Sequence, residues 1–157
     1  MVRSSSVCQE VGDERMFMGE YKHNLDAKGR ITLPSKFREK FDDTVIVARG
    51  FDGCLSVYTP QEWEKFYTKL QQMPITKKQT RAFVRMITSK ATECEIDKMG
   101  RINIPPGLRE QAHLEKNCSI VGSLNHVEIW DTNMWEDYYN QENEQFEEIA
   151  EEMDFTI

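Results

Sequence analysis

Residues Asp26–Glu39 read DAKGRITLPSKFRE, and residues Asp97–Glu110 read DKMGRINIPPGLRE. Seven of the fourteen aligned positions are identical, among them the Asp, Gly, Arg and Pro that punctuate the phrase. In each copy a strand-like run, EYKHNLD or ATECEID, enters a Gly-Arg turn, and RITL or RINI leaves it with alternating aliphatic residues. That period of two is the mark of a half-buried strand. Pro34 and Pro105-Pro106 then open a short helix, because the first N–H groups of a helix need no partner within it.

The duplication extends further along the chain. Gly50–Trp63 (GFDGCLSVYTPQEW) aligns with Gly122–Trp135 (GSLNHVEIWDTNMW), so that Trp63 answers Trp135 and Tyr58 answers Trp130. The offset moves from 71 to 72 residues between the two blocks, as a single insertion would cause. Val45–Ala48 and Leu55–Tyr58 read as a hairpin about Asp52-Gly53, and Ser119–Val121 and Val127–Trp130 take those places in the second copy. Thr59-Pro60-Gln61-Glu62 is a capping box, after which Trp63, Phe66, Tyr67 and Leu70 form one apolar stripe at helical spacing. A helix over Lys77–Ser89 joins the copies, with Phe83, Met86 and Ile87 expected on its buried side and Lys78, Arg81 and Arg85 outside. Each copy is too short to bury much on its own, so the two must share a core about a pseudo-two-fold.

The expected architecture is therefore mainly β with helices, an α+β fold. Its expected divisions are a disordered extension over residues 1–15, a first repeat over 20–62 and a helical connector over 63–90. A second repeat over 91–134 and an acidic C-terminal helix and tail over 135–157 complete it. The first patterned segment begins at Met16, a more natural start, and whether the polar, aperiodic stretch before it belongs to the functional protein stays open at this point.

Composition narrows the function classes. The formal net charge is −7, yet no Lys or Arg follows Lys116, while eleven Asp and Glu do. A ligand responds to the field within a screening length of roughly 10 Å, so this acidic total does not exclude a polyanion. Between Lys65 and Thr92 stand seven basic residues and no acid. The four cysteines, at 8, 54, 94 and 118, lack the paired spacing of a zinc site or a disulfide framework and read as free thiols. His23, His113 and His126 are scattered. No apolar run approaches the roughly 20 residues of a spanning helix, and the N-terminus lacks the apolar centre of a signal peptide. No phosphate loop, dinucleotide phrase or nucleophile elbow is present. No catalytic residue, metal ligand, cofactor or small-molecule substrate is expected, and the chain does not read as an enzyme. Trp63, Trp135, Tyr138 and Tyr139, at helical spacing, read as core or subunit interface.

The opening phrase, from MFMGEYKHNLDAKGRITLPSKFRE to DKMGRINIPPGLRE, closely resembles the MraZ family. Each copy looks like a swapped-hairpin module of the SpoVT/AbrB type, and the likeness covers Met16 to about residue 150. The resemblance implies a shared β-barrel core with a helix after each unit. It also implies a DNA-binding transcriptional regulator of the division and cell-wall gene cluster, cytoplasmic and nucleoid-associated. Such a regulator binds short direct repeats in the double-stranded DNA upstream of its own operon as a homo-oligomeric ring. On that reading Arg30, with Arg101 in support, meets DNA, and Lys28, Lys36 and Arg38 hold phosphates. Asp26 and Asp97, with Gly29 and Gly100, support the two turns.

Other roles stay open at this point. Asp26–Arg30 and Asp97–Arg101 could be ion pairs that only fix the turns or a subunit join, and Lys36 and Arg38 could form a solvated helix face. The whole chain could be an oligomeric protein-interaction module with no direct DNA role. Met99 and Gly107 stand where the first copy has Lys28 and Lys36, which favours the first copy for DNA contact.

Overall fold

A computed structural model describes residues 16–154; the stretch 1–15, expected to be disordered, lies outside the described residues. The first copy comprises β1 (Glu20–Asn24), β2 (Arg30–Thr32), α1 (Ser35–Arg38), β3 (Thr44–Arg49) and β4 (Leu55–Tyr58). Two helices follow, α2 (Pro60–Gln71) and α3 (Lys78–Thr88). The second copy repeats the order as β5 (Thr92–Glu95), β6 (Arg101–Asn103), α4 (Pro106–Gln111), β7 (Asn117–Ser123) and β8 (His126–Asp131). It ends in α5 (Thr132–Asn143) and α6 (Phe146–Glu152).

The two copies are interlaced. The main sheet is antiparallel with strand order β1-β7-β8-β4-β3-β5, and β2 pairs with β6 in a separate ribbon. Thus β1 of the first copy adds to the β7–β8 hairpin of the second, while β5 of the second adds to the β3–β4 hairpin of the first. The hairpins meet at β4–β8, where Ser56 faces Glu128, its own counterpart in the other copy. In the ribbon Ile31 faces its counterpart Ile102. A pseudo-two-fold axis therefore passes through both pairs. This is the α+β fold of two pseudo-symmetric units that the repeats predict.

The six-stranded sheet is open, with β1 and β5 at its edges. The ribbon packs over it, β2 near β1 and β6 near β5, as a separate sheet, so the expected barrel is not closed. Ile31, Leu33, Ile102 and Ile104 point inward from the ribbon and are at most 1% exposed. They meet Val45, Val47, Leu55, Val57, Ile120, Val127 and Ile129 in one core to which both copies contribute. Burying so many aliphatic side chains, at about 1.5–3 kcal/mol each, is open to neither half alone.

The caps form as their residues dictate. Thr59 Oγ1 accepts from the Glu62 N–H (3.1 Å) to start α2, and an Asp131 carboxylate oxygen accepts from Met134 N–H (3.1 Å) to start α5. Asp52 and Gly53 both take positive φ, 65° and 93°, as the tight β3–β4 hairpin requires. Tyr58 packs on Trp63 and Phe66, and Trp130 packs on Trp135 and Tyr138, one aromatic cluster per copy. The apolar stripes are narrower than their spacing suggests. Leu70 and Ile87 are buried, but Tyr67 (43%) and Met86 (48%) face outward. α3 is tethered on one side only, by Ile87 and Thr80, so an i+3 neighbour at the edge of that stripe stays in water.

Candidate nucleic-acid interface

The two Gly-Arg turns are built alike to within a tenth of an ångström. In the first, Asp26 Oδ1 accepts from the backbone N–H of Lys28 (2.9 Å) and of Arg30 (2.8 Å), and Oδ2 accepts from Arg30 Nε (2.8 Å). In the second, Asp97 Oδ1 accepts from the N–H of Met99 and of Arg101 (2.9 Å each), and Oδ2 accepts from Arg101 Nε (2.9 Å). The aspartate is both the turn's backbone anchor and the clamp that aims the arginine. Clamping consumes only Nε of each guanidinium. Among the described residues the Nη groups have no partner, and the side chains keep 31% and 26% of their exposure.

Both aspartates are held below the ordinary value of 3.8, chiefly by the backbone N–H of Arg30 or Arg101, against the opposing effect of desolvation, with the arginine side chain and the N–H of Lys28 or Met99 adding smaller contributions. They are carboxylates at neutral pH, so each clamp is a charged pair with spare donors.

The glycines are required for a conformational reason, and an arginine side chain of the other copy packs on each. Gly29 and Gly100 have φ of 83° and 80°, a region costly to side chains. A Cβ on Gly29 would also stand 2.7 Å from Cζ of Arg109, and one on Gly100 would collide with the guanidinium of Arg38. Arg38 of the first copy thus lies across the turn of the second, and Arg109 of the second lies across the turn of the first. The turn carbonyls are crossed too: Leu33 N–H donates to Gly100 O (2.9 Å) and Ile104 N–H to Gly29 O (2.8 Å). Arg38 is therefore not on a freely solvated helix face; it is packed against the opposite turn.

Of the anticipated residues the turns and ribbon bring together Lys28, Arg30, Arg38 and Arg101, while Lys36 lines a groove with Met16, Met18, Glu39 and Lys40. Arg30 and Arg101 flank the ribbon, Lys28 is exposed in the first turn, Lys36 is exposed on α1, and Arg38 reaches the second turn. Reading the sequence had missed three cations. Arg109, 71 residues after Arg38, donates from Nε to Ile104 O (2.9 Å) and packs on Gly29. Lys98 is exposed beside Met99. Lys90 brings Nζ to 3.5 Å from the Cβ direction of Gly107, beside the position where the first copy has Lys36. The first of these was legible from the repeat offset; the last was not, since Lys90 lies outside the aligned phrase. Lys78 and Arg85 lie on the outer face of α3, and Arg81 donates to the carbonyls of Ile75 (3.0 Å) and Thr76 (3.2 Å).

The other candidate chemistries find less support. His126 Nε2 lies 3.4 Å from Glu128, and Trp130 Nε1 donates to the same carboxylate (3.0 Å), a surface polar cluster next to the aromatic one. Among the described residues no group of three His, Cys, Asp or Glu side chains is placed to hold a metal ion. Cys54, Cys94 and Cys118 are buried free thiols, and Cys8 lies outside the described residues. No helix among the described residues is long and apolar enough to cross a membrane.

Fold and site define a class: a duplicated, interlaced α+β protein that presents two aspartate-clamped arginines on a short two-stranded ribbon. Residues 16–86 and 87–156 each match the family described as "MraZ protein, putative antitoxin-like". The chain is also 55% identical over 143 residues to the "Transcriptional regulator MraZ" of Ligilactobacillus salivarius (strain UCC118), a match spanning 90% of this chain and 100% of that one. The chain belongs to the MraZ family. Transcriptional regulation is the role that this kinship supports.

Proposed function

We propose that the chain is a sequence-specific, double-stranded-DNA-binding transcriptional regulator, and that the ribbon with its two Gly-Arg turns is its DNA-contacting surface. One observation carries the reading: Arg30 and Arg101 are each fixed through Nε while their Nη donors stay available at the protein surface. A clamp that served the turn alone would need only the backbone bonds to Oδ1. Arginine offers a fork that matches guanine O6/N7 or a phosphate, and a two-stranded ribbon is narrow enough for the major groove. Lys28, Lys36 and Arg38 act on phosphates, joined by Arg109 across the first turn and by Lys98 and Lys90 beside the turn and short helix of the second copy.

Each phosphate neutralised adds about 0.9 to the salt slope, so contacts from several subunits would add to the binding of one chain. The kinship with the MraZ family supplies the finer part of the proposal: a homo-oligomeric ring on short direct repeats upstream of its own operon in the division and cell-wall gene cluster, within the cytoplasm and on the nucleoid. Linking subunits raises the effective concentration of each further contact. Four exposed apolar residues on helices, Tyr67, Met86, Tyr139 and Phe146, support self-association through the helical surface, while Met99 is exposed in the second Gly-Arg turn itself.

Footprinting on the DNA upstream of the gene, with the mass of the bound species measured in parallel, tests the proposal. Protection at repeated intervals by a species of several subunits is expected. No protection anywhere in that region, by a folded protein at low salt, would sink it.

A further inference from the structure

We propose that Thr32 and Asn103 are specificity-determining residues that read base edges between the two arginines and give the bound protein a direction on DNA. The inference rests on the DNA-binding reading above and assigns to it two residues outside the arginine clamps.

It follows from the register of the ribbon. Arg30 stands opposite Asn103, Ile31 opposite Ile102, and Thr32 opposite Arg101. Neighbours on a strand alternate between faces, and both isoleucines are buried, so Arg30, Thr32, Arg101 and Asn103 share the outer face. Directly opposed residues place their Cβ atoms about 4.5–5.5 Å apart. Each arginine therefore has a polar neighbour within reach of the same base step: Asn103 beside Arg30, Thr32 beside Arg101. Asn103 is exposed and Thr32 half-exposed, and among the described residues neither side chain has a hydrogen-bond partner. Their polar groups are unspent on the protein.

The chemistry of the pair breaks the symmetry. The pseudo-two-fold exchanges Arg30 with Arg101, and Thr32 with Asn103. With identical residues at both positions, the ribbon would present the same face after a half-turn and could not tell one orientation of a site from the other. A carboxamide offers a donor and an acceptor that match adenine N6 and N7. Threonine offers a single hydroxyl and a methyl that packs on the methyl of thymine. The two ends of the ribbon thus select different bases. Direct repeats, which all point one way, require that asymmetry; a palindrome would not.

Selection from a pool of random DNA duplexes, followed by affinity titration of the chosen sequences, tests the assignment. The parent protein, N103T, T32N and the exchanged double variant T32N/N103T are compared. The parent should select an asymmetric motif. N103T should lose discrimination at one base position by about tenfold, with circular dichroism, assembly mass and salt slope unchanged. The double variant should select the motif with those two positions exchanged. Parent and variants choosing the same bases with the same discrimination would overturn the assignment and leave the DNA-binding reading standing. A parent that binds no duplex in the pool would overturn both.

Discussion

Asp26 and Asp97 do two jobs with one carboxylate each, and the division between oxygens is what makes the site testable. Oδ1 fixes the backbone and Oδ2 fixes the arginine. Because both folded values lie below the ordinary 3.8, the contribution of the clamps is complete above about pH 4. It is lost as pH falls through the lowered values. Urea midpoints followed from pH 7 to pH 2 should therefore drop in acid, and the D26N/D97N variant should start lower at neutral pH and drop less. An equal acid response in the variant would assign the loss to other carboxylates. The thiols give a second residue-level prediction. Burial pushes Cys118 up to about 11, and pushes Cys54 and Cys94 up as well. A thiol reagent at pH 8 should spare all three in the native protein and modify them once it is unfolded, since the thiolate is the reactive form.

At the level of elements the turns and the ribbon are one unit. Gly100→Ala sets a Cβ against the Arg38 guanidinium and forces a strained φ, so a loss of about 1–3 kcal/mol in chemical denaturation is expected. Ile102→Ala empties the axial contact with Ile31 and should cost about 2–5 kcal/mol. The strands, turns and caps were legible because each is written in local spacing: Asp-x-x-Gly-Arg, the alternation after it, Thr59 and Glu62. Pairing partners were not. Nothing local to β1 says that it adds to β7 of the other copy rather than to β3 of its own, since both present the same alternating face. The reading of Arg38 as a solvated face failed for the same reason, because the surface it covers belongs to the opposite turn. Lys90 illustrates the limit of alignment: its charge stands beside Gly107, although no spacing in the sequence links the two.

For the whole molecule, the interlaced copies explain why a phrase of fourteen residues is written twice: neither half can build the sheet or bury its apolar face alone, and the axis that joins them also sets two arginines on one ribbon. The acidic stretch after Lys116 and the basic residues of the turns are kept apart on different elements, so a net charge of −7 is compatible with a cationic face. A duplex bearing two adjacent repeats should bind the assembled protein at least tenfold more tightly than one bearing a single repeat, as effective concentration requires. Equal affinity would mean that a single subunit suffices.

The most direct test of the central claim is fluorescence anisotropy of a labelled duplex from upstream of the gene, titrated with parent and R30A/R101A protein at several salt concentrations. The account predicts tight binding by the parent that weakens steeply with salt. It predicts binding at least a hundredfold weaker by the variant, at unchanged circular dichroism and assembly mass. Undiminished binding by a correctly folded, correctly assembled variant would contradict it.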